Sequence, residues 1–245
     1  VLELKNPHSV LAALENRPED VVEIRLSPGI SRGAWMTVAN LADKHNIPVV
    51  QSRSVKQGGR RSPKNPNIEG RRTATAIGKV KPKPSLPPEQ LFSQVQGNSK
   101  SLWLALDSVQ DPHNVGAILR TAAFFGVSGI VLTKDRSAPM NSTVYDVASG
   151  GAEYVPFTLQ TNLVQTLKIA KSAGLWVLGT SEHAEEDVSE IDKDRAWLLV
   201  LGNEEKGLRS LTLKNCDYTC KFSPRGEVKS LNVSVAAGVM MSEFS

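Results

Sequence analysis

Three stretches of this chain place polar and small residues just beyond apolar runs, and their residue types limit the chemistry available. The first runs Asp107-Ser108-Val109-Gln110-Asp111-Pro112-His113-Asn114-Val115-Gly116-Ala117-Ile118-Leu119-Arg120. Asp111 suits a helix N-cap and Pro112 the first helical position. On that helix His113, Gly116, Arg120 and Ala123 share a face by their spacing. One guanidinium then stands among small residues, with room for a ligand, a nucleic-acid backbone or another subunit. The plainer reading is an exposed arginine beside a packing glycine.

The second stretch is Leu201-Gly202-Asn203-Glu204-Glu205-Lys206-Gly207-Leu208. It is not a P-loop, and its adjacent carboxylates would repel phosphates. No G-x-G-x-x-G opens a helix in the chain's second half, so NAD, FAD and nucleoside triphosphates are poor candidates. An adenosine ligand with a positive charge and no phosphate suits the stretch better, and S-adenosylmethionine has those properties. The alternative is an ordinary polar turn with glycines for geometry. The third stretch is Ser230-Leu231-Asn232-Val233-Ser234-Val235-Ala236-Ala237-Gly238-Val239. Ser230 or Asn232 can cap a helix, and the small residues that follow make it thin enough to lie closely against a neighbour.

These stretches need a scaffold. Short apolar runs at 102–106, 129–133, 175–179 and 197–201 read as strands buried on both faces of a parallel sheet. Helical patterns at 112–125 and 163–173 lie between them, which argues an open α/β sheet. In such sheets ligands bind beyond the carboxyl ends of the strands, where the first two stretches fall. Ahead of this region, residues 7–14 and 34–44 have helical patterns and residues 21–26 and 47–50 strand patterns, a small α/β unit. We therefore expect a small domain over 1–80 that runs into a basic linker, linker again over 81–100, and the larger domain over 101–245.

Composition excludes other classes. Hydrophobic residues make up 40% and charged residues 22% of 245, typical of a folded globular chain. No apolar run approaches the ~20 residues of a membrane span. Four histidines without ligand spacing and two cysteines, Cys216 and Cys220, predict no metal site and no disulfide framework. The start has no secretory pattern, and Val1 in place of Met leads us to expect upstream trimming. The net charge of +4 is uneven: residues 51–90 hold ten Lys or Arg against Glu69 and Glu89, with six prolines. Such a segment attracts polyanions, RNA or DNA. Otherwise it is a linker kept soluble by its charge.

In this order and spacing, Asn114 to Arg120, Gly202 to Gly207 with Glu204, and Ser230 to Gly238 resemble the SpoU branch of the SPOUT RNA methyltransferases. Residues 1–50 are more loosely similar to the substrate-binding domain that precedes it in members acting on ribosomal RNA. Where that domain has a glycine-rich strand, this chain has the more basic stretch 68–77. The resemblance implies an α/β sheet with a C-terminal deep trefoil knot, an exception to the unknotted rule. It implies S-adenosylmethionine at Thr180, Leu201, Gly202, Phe222 and Leu231, and no metal. It implies methyl transfer to a ribose 2′-hydroxyl, most often of guanosine in large-subunit rRNA, by a homodimer. Arg120 matches the arginine proposed to help deprotonate that hydroxyl. A guanidinium is a poor base, so phosphate binding and alkoxide stabilisation are the physically better roles. Asn114, Glu204, Ser230 and Asn232 match the residues that orient Arg120 and the ribose. A tRNA substrate and a non-catalytic RNA-binding factor on the same fold are the alternatives. A bacterial cytoplasm is the expected compartment, an organelle the other.

Overall fold

The computed structural model describes residues 1–28, 30, 33–51, 76–95, 101–203 and 205–245. They form two compact units, Val1–Pro82 and Lys83–Ser245.

In the first unit a four-stranded sheet has the order β1-β4-β2-β3. Its strands are β1 (Leu2–Leu4), β2 (Val21–Leu26), β3 (Val49–Gln51) and β4 (Ile77–Val80). Helices α1 (Pro7–Asn16) and α2 (Ala34–Lys44) complete it. Local signals start α1: Pro7 stands in its first turn and the Asn6 side chain accepts the His8 amide at 2.9 Å. Leu4, Val10, Leu14, Ile24, Val38 and Val80 make a fully buried core. Glu23 bridges Arg25 and Lys79 at 2.6 and 2.8 Å, so the charges on these neighbouring strands are paired.

The second unit is a six-stranded sheet in the order β10-β8-β9-β5-β6-β7, parallel throughout. The strands are β5 (Leu102–Leu106), β6 (Gly129–Thr133), β7 (Phe157–Gln160), β8 (Trp176–Thr180), β9 (Trp197–Leu201) and β10 (Tyr218–Cys220). The central ones are buried at every position, as their unbroken apolar runs require. Alternate residues point to opposite faces. Trp103, Ala105, Val131, Val177, Leu198 and Val200 pack with Leu91, Leu163, Leu167 and Ala170 of α3 (Pro88–Leu91) and α7 (Leu163–Ser172). A second group of helices packs around α4 (Pro112–Phe124): α5 (Ser142–Ala148), α6 (Gly151–Tyr154) and α9 (Val233–Phe244). The short α8 (Ser210–Leu213) packs beside α7.

Chain order places the crevice. From β5 the chain runs outward to β6 and β7, crosses to β8, and returns to insert β9 between β8 and β5. The loops after β5 and β9 therefore diverge at a topological switch point, the usual ligand position in open α/β sheets.

Two sequence expectations change here. Residues 83–95 do not behave as linker. Leu86 donates its amide to Phe157 on the sheet edge at 2.9 Å, and Leu91, Phe92 and Val95 are buried in the core of the second unit. Proline-rich composition hid three apolar anchors spaced for a short helix. Strands β7 and β10 also escaped the sequence reading, being four and three residues long at the sheet edges. Most of the basic stretch, residues 52–75, lies outside the described residues.

Candidate functional site

The loop after β5 begins at a buried carboxylate. Asp107 has no exposed surface, and its amide donates to Leu201 O on β9 at 2.8 Å. Ser108 follows with φ 65°, a left-handed conformation that is unusual outside glycine. Asp111 then caps α4 by accepting the His113 amide at 2.8 Å. Asn114 is buried in the first turn of α4, whereas Arg120 is exposed farther along it. Arg120 makes no ion pair or side-chain hydrogen bond among the described residues. Gly116 belongs to the protein's own packing. A Cβ there would lie 2.6 Å from the Val147 side chain and 2.8 Å from Val144 O, so α5 occupies the room the sequence left open for a ligand.

The turn after β9 is closed on itself. Asn203 and Gly207 exchange backbone hydrogen bonds of 3.1 and 2.9 Å. The Asn203 Oδ1 accepts the amides of Glu205 and Lys206 at 3.1 and 3.2 Å. Gly202 is obligatory, since a Cβ would fall 2.2 Å from the Gly207 carbonyl carbon. Glu204 lies outside the described residues. Outside the turn, Asn203 Nδ2 donates to Ser108 O at 3.1 Å. Beyond it, Arg209 Nε and the Thr212 hydroxyl each reach an Asp107 oxygen at 2.7 Å.

The third stretch returns to α4. Asn232 caps α9 by accepting the Ser234 amide at 2.9 Å, and its Nδ2 donates to Asn114 Oδ1 at 3.1 Å, 118 residues back. Ser230 and Leu231 are exposed ahead of that cap. The thin side of α9 meets its own chain: Ala237 is fully buried, and a Cβ at Gly238 would touch Thr121 of α4 at 3.9 Å. Val235 and Val239 remain exposed on α9, as does Phe124 at the end of α4.

Of the sequence candidates, Thr180, Leu201 and Gly202 end the neighbouring strands β8 and β9, and Phe222 follows β10, whose Cys220 pairs with Thr180. Asn114 and Asn232 are directly bonded. Arg120, Ser230 and Leu231 have no bond to the other candidates among the described residues. Sequence reasoning missed Asp107, Asn203, Arg209 and Thr212. The signal was present: a carboxylate at the end of a five-residue apolar strand demands buried donors.

A second carboxylate orders the segment that leads to α9. Asp187 Oδ2 accepts the Ser223 amide at 3.0 Å, and its Oδ1 accepts the amide and hydroxyl of Ser189. Hydrogen bonds from the Ser223 side chain, then from Ser189, hold its carboxyl far below the ordinary carboxylate range. Lys221 and Asp187 pair as a parallel bridge. Residues 182–194 carry seven acids, yet Val188 and Ile191 among them are buried. Burial pushes the Cys216 and Cys220 thiols up to about 12, which makes them inert packing groups. No group of His, Cys, Asp and Glu among the described residues could hold a metal ion.

Comparison with known proteins shows the family and the fold. The model of the SpoU rRNA methylase family matches residues 101–242. The chain is 37% identical to the 23S rRNA (guanosine-2′-O-)-methyltransferase RlmB of Pseudomonas putida, over 96% of this chain and 92% of that one. The SpoU methyltransferase AviRb of Streptomyces viridochromogenes has the same fold, with a TM-score of 0.76 at 20% identity, covering 99% of this chain and 87% of that one. So has an AdoMet-bound rRNA methyltransferase of Sinorhizobium meliloti, with a TM-score of 0.72 at 21% identity, over 99% of this chain and 85% of that one.

Proposed function

Because this chain belongs to the SpoU rRNA methylase family, we propose that it transfers the methyl group of S-adenosylmethionine to the ribose 2′-hydroxyl of a guanosine in 23S rRNA. One observation carries the reading. Asn232 reaches back to Asn114, so the third stretch closes over the helix that bears Arg120, beside the switch point where the Gly202 turn leaves the sheet.

The residues present fit the methyl donor. Thr180, Leu201, Gly202, Phe222 and Leu231 offer backbone groups and largely apolar side chains at or beyond neighbouring strand ends. That chemistry suits an adenosine with a cationic sulfonium. When bound, S-adenosylmethionine supplies a methyl group already activated by its sulfonium. The protein's own work is then to hold the ribose and to stabilise the oxygen that loses its proton to water. Arg120 is exposed and has no ion pair or side-chain hydrogen bond among the described residues, so it binds the adjacent phosphate and stabilises the developing alkoxide. Asn114 and Asn232 orient the ribose, with Ser230 and Glu204 assigned beside them by their place in the family pattern. Only RNA offers the 2′-hydroxyl.

The same reading includes a knot, a dimer and a compartment. Residues 221–223 bond to residues 186–188 before the chain reaches α9, and α9 packs on α4 and against the 188–190 turn. This path supports a threaded C-terminal segment. Exposed Phe124, Val235 and Val239 on the paired helices α4 and α9 support a homodimer. The rRNA relatives support a bacterial cytoplasm, and no helix among the described residues is long and apolar enough to cross a membrane.

The test is transfer of labelled methyl from S-adenosylmethionine to unmodified 23S rRNA with tRNA as competitor, followed by mass-spectrometric mapping of the product. We expect one methylated guanosine ribose in the rRNA. Label on a base, or on tRNA in preference, would overturn the assignment.

A further inference from the structure

The exit of β5 carries a buried carboxylate that the proposed chemistry does not use. Asp107 Oδ1 accepts from Arg209 Nε at 2.7 Å and from the Ser108 hydroxyl at 3.2 Å. Its Oδ2 accepts from the Thr212 hydroxyl at 2.7 Å and lies 3.4 Å from the Arg209 amide. An ionised carboxylate out of water needs its lone pairs filled by donors. Here the donors come from the next residue and from the segment just past the Gly202–Leu208 turn.

The turn is thereby held at both ends. Its first side chain, Asn203, donates to Ser108 O, and the residues that follow it, Arg209 and Thr212, grip Asp107. Both anchor points are adjacent residues at the start of the loop leading into α4. The second of them, Ser108, keeps the disfavoured φ of 65°, which persists only where the surroundings over-determine it. An ion pair to a buried carboxylate is a weak source of stability beside well-packed apolar residues. What it adds is direction.

We propose that Asp107 is a positioning residue. With Arg209 and Thr212 it sets the Gly202–Leu208 turn against the root of α4, so the turn that would hold the methyl donor and the helix that bears Asn114 and Arg120 share one reference point. The inference rests on the functional reading above. It adds Arg209 and Thr212, which lie beyond the three stretches, and gives a role to Asp107, which opens the first of them.

The experiment uses the full chain and the variants Asp107→Ala, Arg209→Ala and the double variant. Thr212→Val is a milder perturbation of the same carboxylate, in case the others fold poorly. Three quantities are read: hydrogen exchange at the Asn203 and Gly207 amides, calorimetric S-adenosylmethionine affinity, and KM for donor and for 23S rRNA separately. Because displacement by about 1 Å can cost ~100-fold in a positioned reaction, we expect turn exchange to quicken and donor affinity to fall by ~10-fold or more. KM for RNA should move by less than about twofold, and the double variant should be no worse than the worse single one, since both remove one interaction. Unchanged turn exchange and donor affinity in folded variants would overturn the proposal. So would equal rises in both KM values, or losses that multiply in the double variant. If the unaltered protein binds no S-adenosylmethionine, the functional reading fails, while turn exchange still decides the clamp.

Discussion

The turn after β9 and the helix after β5 leave neighbouring strands of one sheet, yet they are finished in opposite ways. In the turn, Asn203 bonds its own loop and Ser108, Gly202 lies against Gly207, and Arg209 is locked to a carboxylate with no exposed surface. On α4 the backbone is as firmly packed, but Arg120 projects from it without a partner among the described residues. Under the proposed function, the difference matches the side of the reaction that each would serve. A small donor that meets mostly backbone needs a rigid mould, because groups already fixed lose no further freedom on binding. A large RNA that brings its own phosphate needs a charge left unsatisfied until it arrives, since a guanidinium already paired would have to give up that partner first.

The contrast breaks most sharply at Arg120. Arg120→Ala should lower kcat by ~100-fold or more, as the loss of one charge-stabilising group does. An exposed side chain with no partner among the described residues contributes little to folding, so the thermal midpoint should stay within about 2 °C. A collapse of the midpoint would mean that Arg120 is structural after all.

The clamp should behave in the reverse manner, and asymmetrically. Arg209→Ala leaves Asp107 buried without its cation and should cost about 3 kcal/mol in urea unfolding. Asp107→Ala should cost less, because the Arg209 side chain is 42% exposed and can turn to water. Equal losses would argue that the pair acts by packing rather than by charge.

The smallest effect tests the approach to α9. The folded-state pKa of Asp187 is lowered, so its contribution to stability is complete above the unfolded value near ~3.9 and is lost as pH falls through the folded one. Asp187→Asn should therefore reduce the thermal midpoint slightly at neutral pH, and that deficit should shrink below about pH 4. A deficit constant from neutral to strongly acid pH would remove Asp187 as the ionised tie between residues 187 and 223.

Much of this was legible because burial leaves a periodic trace. Unbroken apolar runs marked β5, β6, β8 and β9 to within a residue, and Asp111-Pro112 announced the start of α4. Short edge strands left no such trace: β10 has three residues, only one of them buried. The stretch from Pro82 to Val95 misled for the converse reason. Its prolines read as linker, although Leu91, Phe92 and Val95 are core residues. At the site, Asn232 reads as an ordinary helix cap, and only the family resemblance groups it with Asn114. Nothing local to either one says that they meet.

Residue order alone settled the class of sheet and the family to which the three polar stretches belong, since both are written within a few neighbouring positions. Only the folded chain decided that Asp107 would find Arg209 and Thr212, that Asn232 would bond Asn114, and that Arg120 would stand without a partner among the described residues. Those outcomes depend on strand order across the switch point, which brings together residues about a hundred positions apart and which no local pattern encodes.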